Sequence, residues 1–147
     1  MTAADSIAVR RASPTDLAAL VQMHEEFRQA HADRTDYLTD VLQSETCFVA
    51  HEEVIAGLVV LRHGHFFGRD FVDFLWVRPD HRRKGVGRLL LRMSVSAATS
   101  SRVFTSTNES NRPMQKLLAS EGWRRSGRLV GLDEGDPESV YFLDARA

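Results

Sequence analysis

Hydrophobic and polar positions first alternate at the start of the chain, where Ile7 and Val9 oppose Ala8 and Arg10 and predict a strand over residues 6–11. Ser13-Pro14-Thr15-Asp16 then supplies an N-cap, a proline for the first helical position and an acid for the first turn. Behind it Leu17, Leu20, Val21 and His24 recur at helical spacing. A weaker helical stretch, residues 34–43, carries Tyr37, Leu38, Val41 and Leu42. Two runs rich in Val, Ile, Leu and Phe, residues 46–51 and 54–62, are separated by Glu52-Glu53 and predict an antiparallel hairpin. Residues 63–68 read as a loop, and residues 71–77 as an apolar strand stopped by Arg78-Pro79. The best-defined helix is 86–100, where Val86, Leu89, Leu90, Met93 and Ala97 share one face. A buried strand (103–107), a helix (111–121) closed by Gly122, and two further strands (123–129 and 139–143) complete the chain. The order is βααβββαβαββ, without repeat, low-complexity tract or linker. It predicts a single mixed α/β domain over residues 1–147 with its function built into the main sheet.

Composition narrows the function classes. The 147 residues are 43% hydrophobic and 27% charged, an ordinary globular balance, and no apolar run is long enough to span a bilayer. The first residues lack the charged and apolar regions of a signal peptide, so the expected location is cytoplasmic, with no membrane partner. Cys47 is the single cysteine and cannot form an internal disulfide; in Cys47-Phe48-Val49-Ala50 it reads as a core residue of a strand. A formal net charge of -1 gives no global reason for nucleic-acid binding, so any anion site has to be local.

Such a site stands between the strand at 71–77 and the helix at 86–100. In Val77-Arg78-Pro79-Asp80-His81-Arg82-Arg83-Lys84-Gly85-Val86-Gly87-Arg88 and on to Arg92, six bases oppose only Asp80, a local excess of +5. Successive backbone N–H groups at a helix start, which Gly85 and Gly87 allow a ligand to approach, form a cradle for phosphate oxygens. The alternative is a tight glycine turn with a solvated basic face. The turn lacks both G-x-x-x-x-G-K-[ST] and the three-glycine dinucleotide spacing, so another phosphate ligand is implied.

Arg82-Arg83-Lys84-Gly85-Val86-Gly87 resembles the acyl-CoA signature [Q/R]-x-x-G-x-[G/A] of the GCN5-related N-acetyltransferases. The likeness extends upstream to Leu75-Trp76-Val77-Arg78-Pro79, similar to that family's central strand and its exit. Downstream, the segment from Asn111 to Trp123 is similar to N-x-x-A-x-x-L-Y-x-x-x-G-F. The resemblance covers about residues 6–143 and implies a mostly antiparallel sheet, flanked by helices and splayed between its fourth and fifth strands. It implies acetyl-CoA as cofactor and direct acetyl transfer to a primary amine of a small molecule or peptide. On this resemblance the backbone of Leu75, Trp76 and Val77 pairs with the pantetheine arm. The N–H groups of Arg83, Lys84, Gly85, Val86, Gly87 and Arg88 hold the pyrophosphate, with charge from Arg82, Lys84 and Arg88. Asn111, and less strongly Asn108, bond the pantetheine.

An ammonium has no lone pair, so acetylation needs a base or water chain to remove a proton. Asp73 is the first choice, at a strand position where the family often has an acid; pairing with an arginine such as Arg69 is its plainer reading. Glu109 is the second, and can equally cap the helix that follows. A main-chain N–H near 75–77 is expected to stabilise the developing oxyanion. Leu118 replaces the tyrosine that in this family commonly protonates the departing thiolate; Tyr141, Tyr37 or a water is left for that role, and a thiolate can also leave unprotonated. The first two helices wall the acceptor pocket in this family, which makes His24, Phe27 and Tyr37 the substrate-binding candidates, although His24 also reads as a packed core histidine. His63-Gly64-His65 lacks further ligands at motif spacing and reads as an exposed turn, so no metal is expected. The acidic run 133–138 reads as a solvated loop or as a rim attracting a cationic amine. Relatives self-associate through sheet edges or terminal strands, which leaves a homodimer open. Two other classes stand beside the transferase: an acyl-CoA-binding module without turnover, and a polyanion binder using Arg82 to Arg92.

Overall fold

The computed structural model describes residues 6–27 and 34–145. Its elements are β1 (Ala8–Arg11), α1 (Leu17–Phe27), α2 (Thr35–Ser44), β2 (Thr46–His51), β3 (Ile55–Phe66), β4 (Arg69–Val77), α3 (Val86–Ser96), β5 (Arg102–Asn108), α4 (Arg112–Ser120), β6 (Arg124–Leu129) and β7 (Glu138–Asp144). The order is the one the hydrophobic pattern predicts. All seven strands join one sheet in the order β1-β2-β3-β4-β5-β7-β6. Every neighbouring pair is antiparallel except β4 and β5, which run parallel.

Two cores, one on each face, follow from the period of two along β2 and β3. Cys47, Val49, Leu58 and Val60 face Leu20, Met23, Leu38, Val41 and Leu42 of α1 and α2. Phe48, Ala50, Val59 and Leu61 face the other way, onto Val86, Leu90 and Leu91 of α3 and Leu118 of α4. With both faces covered, these two strands read as continuous apolar runs. Gly57 lets β3 lie close to its neighbours: a Cβ there would fall 2.8 Å from the Trp76 carbonyl oxygen and 3.0 Å from a Leu90 methyl.

Two boundaries differ from the sequence reading. Residues 63–66, expected in a loop, continue β3, and the hairpin turns on Phe67 (φ 51°) and Gly68 (φ 78°), both left-handed as a two-residue hairpin requires. The α3 helix stops at Ser96 rather than near residue 100. One buried carboxylate accounts for both: Asp70, 1% exposed, accepts from Gly64 N–H (3.2 Å) and from Thr99 N–H (2.7 Å), and lies 3.0 Å from His63 Nδ1. The segment after α3 turns toward this acid instead of extending the helix. Burial, the largest influence on Asp70, pushes its pKa up, but the donors from Thr99, His63 and Gly64 outweigh it and hold the group below its ordinary value.

Candidate active site

Parallel pairing of β4 with β5 covers only Asp70, Phe71 and Val72, opposite Val103, Phe104 and Thr105. The Thr105 hydroxyl closes the apex by donating to the Val72 carbonyl at 2.8 Å. Beyond it the two strands part: β4 continues along β3, and Ser106, Thr107 and Asn108 continue along β7. The split begins at a bulge. Val60 pairs with Phe74 and Leu61 with Val72, so Asp73 is an extra residue with no opposite number. It resets the alternation: Val72, Leu75 and Val77 all pack toward α3, while Phe74 and Trp76 pack toward α1 and α2.

At the end of this open strand the chain enters the basic turn. Arg82 Nε donates to the Val77 carbonyl at 2.9 Å, and its guanidinium lies 5.9 Å from the Trp76 ring centroid. Arg83 (φ 63°) and Gly85 (φ 81°) are left-handed; for the arginine this costs about 1–3 kcal/mol, a strain characteristic of working loops. The first helical bond of α3 runs from Leu89 N–H to the Gly85 carbonyl (3.1 Å), so the N–H groups of Val86, Gly87 and Arg88 precede it, and no side chain caps the helix. A Cβ on Gly85 would meet nothing within 4 Å. Backbone N–H groups at a helix start with no side-chain cap, beside a glycine with open space around it, are what an anionic oxygen needs, and acetyl-CoA, whose diphosphate is such an anion, fits here by that observation. The charge is less than the sequence suggests. Glu121, just after α4, takes Arg88 at 3.0 Å and also Arg92, so six bases against two acids leave +4. The Arg92 and Arg88 pairing holds Glu121 below its ordinary pKa.

On the α1 and α2 side, Tyr37 Oη donates to Asp73 Oδ2 at 2.6 Å, and Arg62 Nη1 lies 3.8 Å from the same oxygen. Arg62, rather than Arg69, is thus the arginine near Asp73. Burial first, and the Asp73 hydrogen bond second, push the Tyr37 phenol far above its usual pKa, so it stays a donor. His24 and Tyr37 meet around Phe74, at ring separations of 6.4 and 6.1 Å. The Phe27 side chain lies outside the described residues. Tyr141 is on the other face, in the core that also holds Leu118.

The remaining candidates are engaged elsewhere in the fold. Glu109 bonds Arg125 (3.1 Å) and Arg128 (2.9 Å), and the cap of α4 is Asn111, whose Oδ1 accepts from Met114 N–H at 3.2 Å. Asn108 Nδ2 donates to Asp133 and to the Asp136 carbonyl, tying the acidic loop to the end of β5. His63 and His65 do not form an exposed turn: His63 Nε2 is 2.7 Å from Thr46 Oγ1, and His65 Nε2 is 2.9 Å from Glu45. Among the described residues no group of three His, Cys, Asp or Glu is placed to hold a metal. Sequence reasoning missed Asp70, Arg62 and Glu121. An acid bordering an apolar strand was the available signal for the first; the others depend on partners distant in the chain.

Residues 17–123 match the family model described as Acetyltransferase (GNAT) family. No curated protein sequence matches the chain. Among solved structures, a GNAT-family acetyltransferase from Bacillus cereus is 32% identical, with a TM-score of 0.86 over 94% of this chain and 96% of its own. Salmonella typhimurium yncA, solved with its cofactor acetyl-CoA, shares the fold at 20% identity (TM-score 0.78, covering 95% and 94%). The ribosomal-protein-S18-alanine N-acetyltransferase from Escherichia coli does so at 14% (TM-score 0.79, covering 96% and 95%). With the splayed strands, the basic helix start and a family match over most of its length, this chain belongs to the GNAT acetyltransferase family.

Proposed function

We propose that the protein transfers an acetyl group from acetyl-CoA directly to a primary amine of a small molecule or peptide. The observation that carries this reading is the gap itself: β4 loses its β5 neighbour after Val72, and its free edge runs into the backbone cradle at the start of α3. When bound, acetyl-CoA supplies an activated thioester. The open edge of Leu75, Trp76 and Val77 orients the pantetheine by strand-like bonds, and the N–H groups of residues 83–88 take the diphosphate. Arg82 and Lys84 add charge, whereas Arg88 is shared with Glu121. The Asp73 bulge re-aims the main chain at the start of the open edge, where a main-chain N–H near 75–77 would be the donor for a developing oxyanion.

Asp73 is the proposed base. Its carboxylate is 31% exposed and held by Tyr37 through one oxygen, leaving the other to accept a proton from the amine directly or through a water. Glu109 is the weaker choice because two arginines hold it. Tyr141 shares the core of Leu118 and is the phenol which that core offers in place of the hydroxyl that Leu118 lacks. His24, Phe27 and Tyr37 are the proposed acceptor-side residues.

The first test is thermal unfolding with and without acetyl-CoA, for the wild type and Gly85→Glu. At a hundredfold excess over Kd the ligand adds about 2.7 kcal/mol, and only the wild type should gain it. No gain in either protein at high ligand overturns the reading. Asp73→Asn should keep the gain but lose about 10²–10⁴-fold in turnover with an amine panel, followed by thiol release. Full binding with no turnover of any amine by the wild type would instead favour an acyl-CoA-binding module, the alternative that the apolar Leu118 favours.

A further inference from the structure

A groove of about 420 Å³ lies along α4, lined by Glu109, Arg112, Gln115, Lys116, Arg125 and Ser139. We propose that it is a second anion site, separate from the cradle at α3, that takes the dianionic phosphate of a small molecule. Its walls come from three elements. Arg112 and Lys116 are one helical turn apart on α4 and so project from the same side, Arg125 stands on β6, and Ser139 lies on β7.

Ser139 is the telling residue. It is 1% exposed, and its Oγ has no hydrogen-bond partner among the described residues. An unsatisfied buried hydroxyl costs about 1–3 kcal/mol, which a ligand oxygen in the groove would recover. Around it the lining carries three cations and one carboxylate, a net +2 that matches a phosphomonoester near neutral pH. Glu109 does not fill the role of the missing anion. It accepts from Arg125 at 3.1 Å and from Arg128 Nε at 2.9 Å, leaving donors of the Arg125 fork for a further acceptor. Gln115 is fixed as a wall by its 2.6 Å bond to the Glu109 carbonyl.

The groove is on the far flank of α4 from the cradle. Leu117 faces α3, lying 3.6 Å from where a Gly87 Cβ would be, and Gln115, two positions earlier, points about 160° away around the helix. The inference therefore does not rest on the acetyltransferase reading.

The test is calorimetric titration with inorganic phosphate and with glycerol 3-phosphate, each in saturating acetyl-CoA so that the cradle is filled. We expect saturable binding, weakened at least tenfold in Arg112→Glu/Lys116→Glu, whose side chains are exposed and leave the core untouched. Ser139→Ala should weaken binding severalfold while leaving unfolding stability unchanged or higher, an outcome that a purely structural serine would not give. Tighter binding of the ester assigns the site to phosphorylated small molecules, and equal binding assigns it to the free ion; both support the site. Absence of saturable binding in acetyl-CoA, or equal affinity in the charge-reversed variant, overturns it. A failure of acetyl-CoA to bind would be seen separately and would count against the cofactor assignment alone.

Discussion

The two halves of the sheet are built differently. In β2 and β3 helices cover both faces, and residues 46–50 and 56–61 are buried without a break. In the other half α4 covers one face only: β5 alternates buried with half-buried positions, and β6 is exposed at every residue. There the outer face carries Phe104 against Phe142, with Arg102 and Arg124 over the Phe142 ring and both paired to Asp144. Exposed ion pairs contribute about 0–1 kcal/mol each, so the first half dominates stability and the second is freer to vary. The gap lies on the seam between the two halves, where β4 leaves β5 after Val72 and stays paired with β3.

Removing packing from each half sharpens that contrast. Leu61→Ala, at a fully buried position between β2, β4 and α3, should cost about 2–5 kcal/mol in urea unfolding, and Phe142→Ala, half-buried on the open face, less than half of the Leu61 value. Asp70→Asn comes next, at about 1–3 kcal/mol at pH 7, because the donors from Thr99, Gly64 and His63 lose their acceptor charge. Its pH dependence has a definite sign. The folded pKa is below 3.8, so the wild type holds this contribution fully above about pH 4 and loses it as pH falls through the folded value. The variant should accordingly lose less stability between pH 5 and pH 2. Asp16, held low by the Arg10 guanidinium, should retain part of the acid dependence in both proteins. The smallest effect is expected on the exposed edge: Leu129→Ala should stay within about 0.5 kcal/mol of wild type, and a larger loss would show that β6 is covered in solution.

The element order was legible because β2 and β3 are uninterrupted apolar runs and α3 has one clear apolar face. The turn between β4 and α3 was legible because Arg78-Pro79 stops the strand and the apolar face of the helix begins at Val86. What escaped the sequence depends on contacts across the fold. Arg88 reads as a free cation until Glu121, thirty-three positions later, is brought to it. His63 to Phe66 read as a loop because the acid that straightens them, Asp70, looks like a strand-end charge. Asn111 and Asn108 carry two polar ends each, and only the structure shows a cap at one and a tether to the acidic loop at the other. Val72-Asp73-Phe74-Leu75 gives no sign of a bulge, since plain alternation would put Val72 and Phe74 on one face.

That bulge has a consequence for the opening of the sheet. Val72 and Leu75 share a face three residues apart, so deleting residue 73 would leave Val72, Phe74, Leu75, Trp76 and Val77 in strict alternation between the cores they now occupy. The shortened strand would be regular and free to extend its parallel ladder along β5. A one-codon deletion should thus yield a folded protein whose β4 pairs further along β5 and whose unfolding no longer shifts with acetyl-CoA, which would make residue 73 one that the opening of the sheet needs and folding does not.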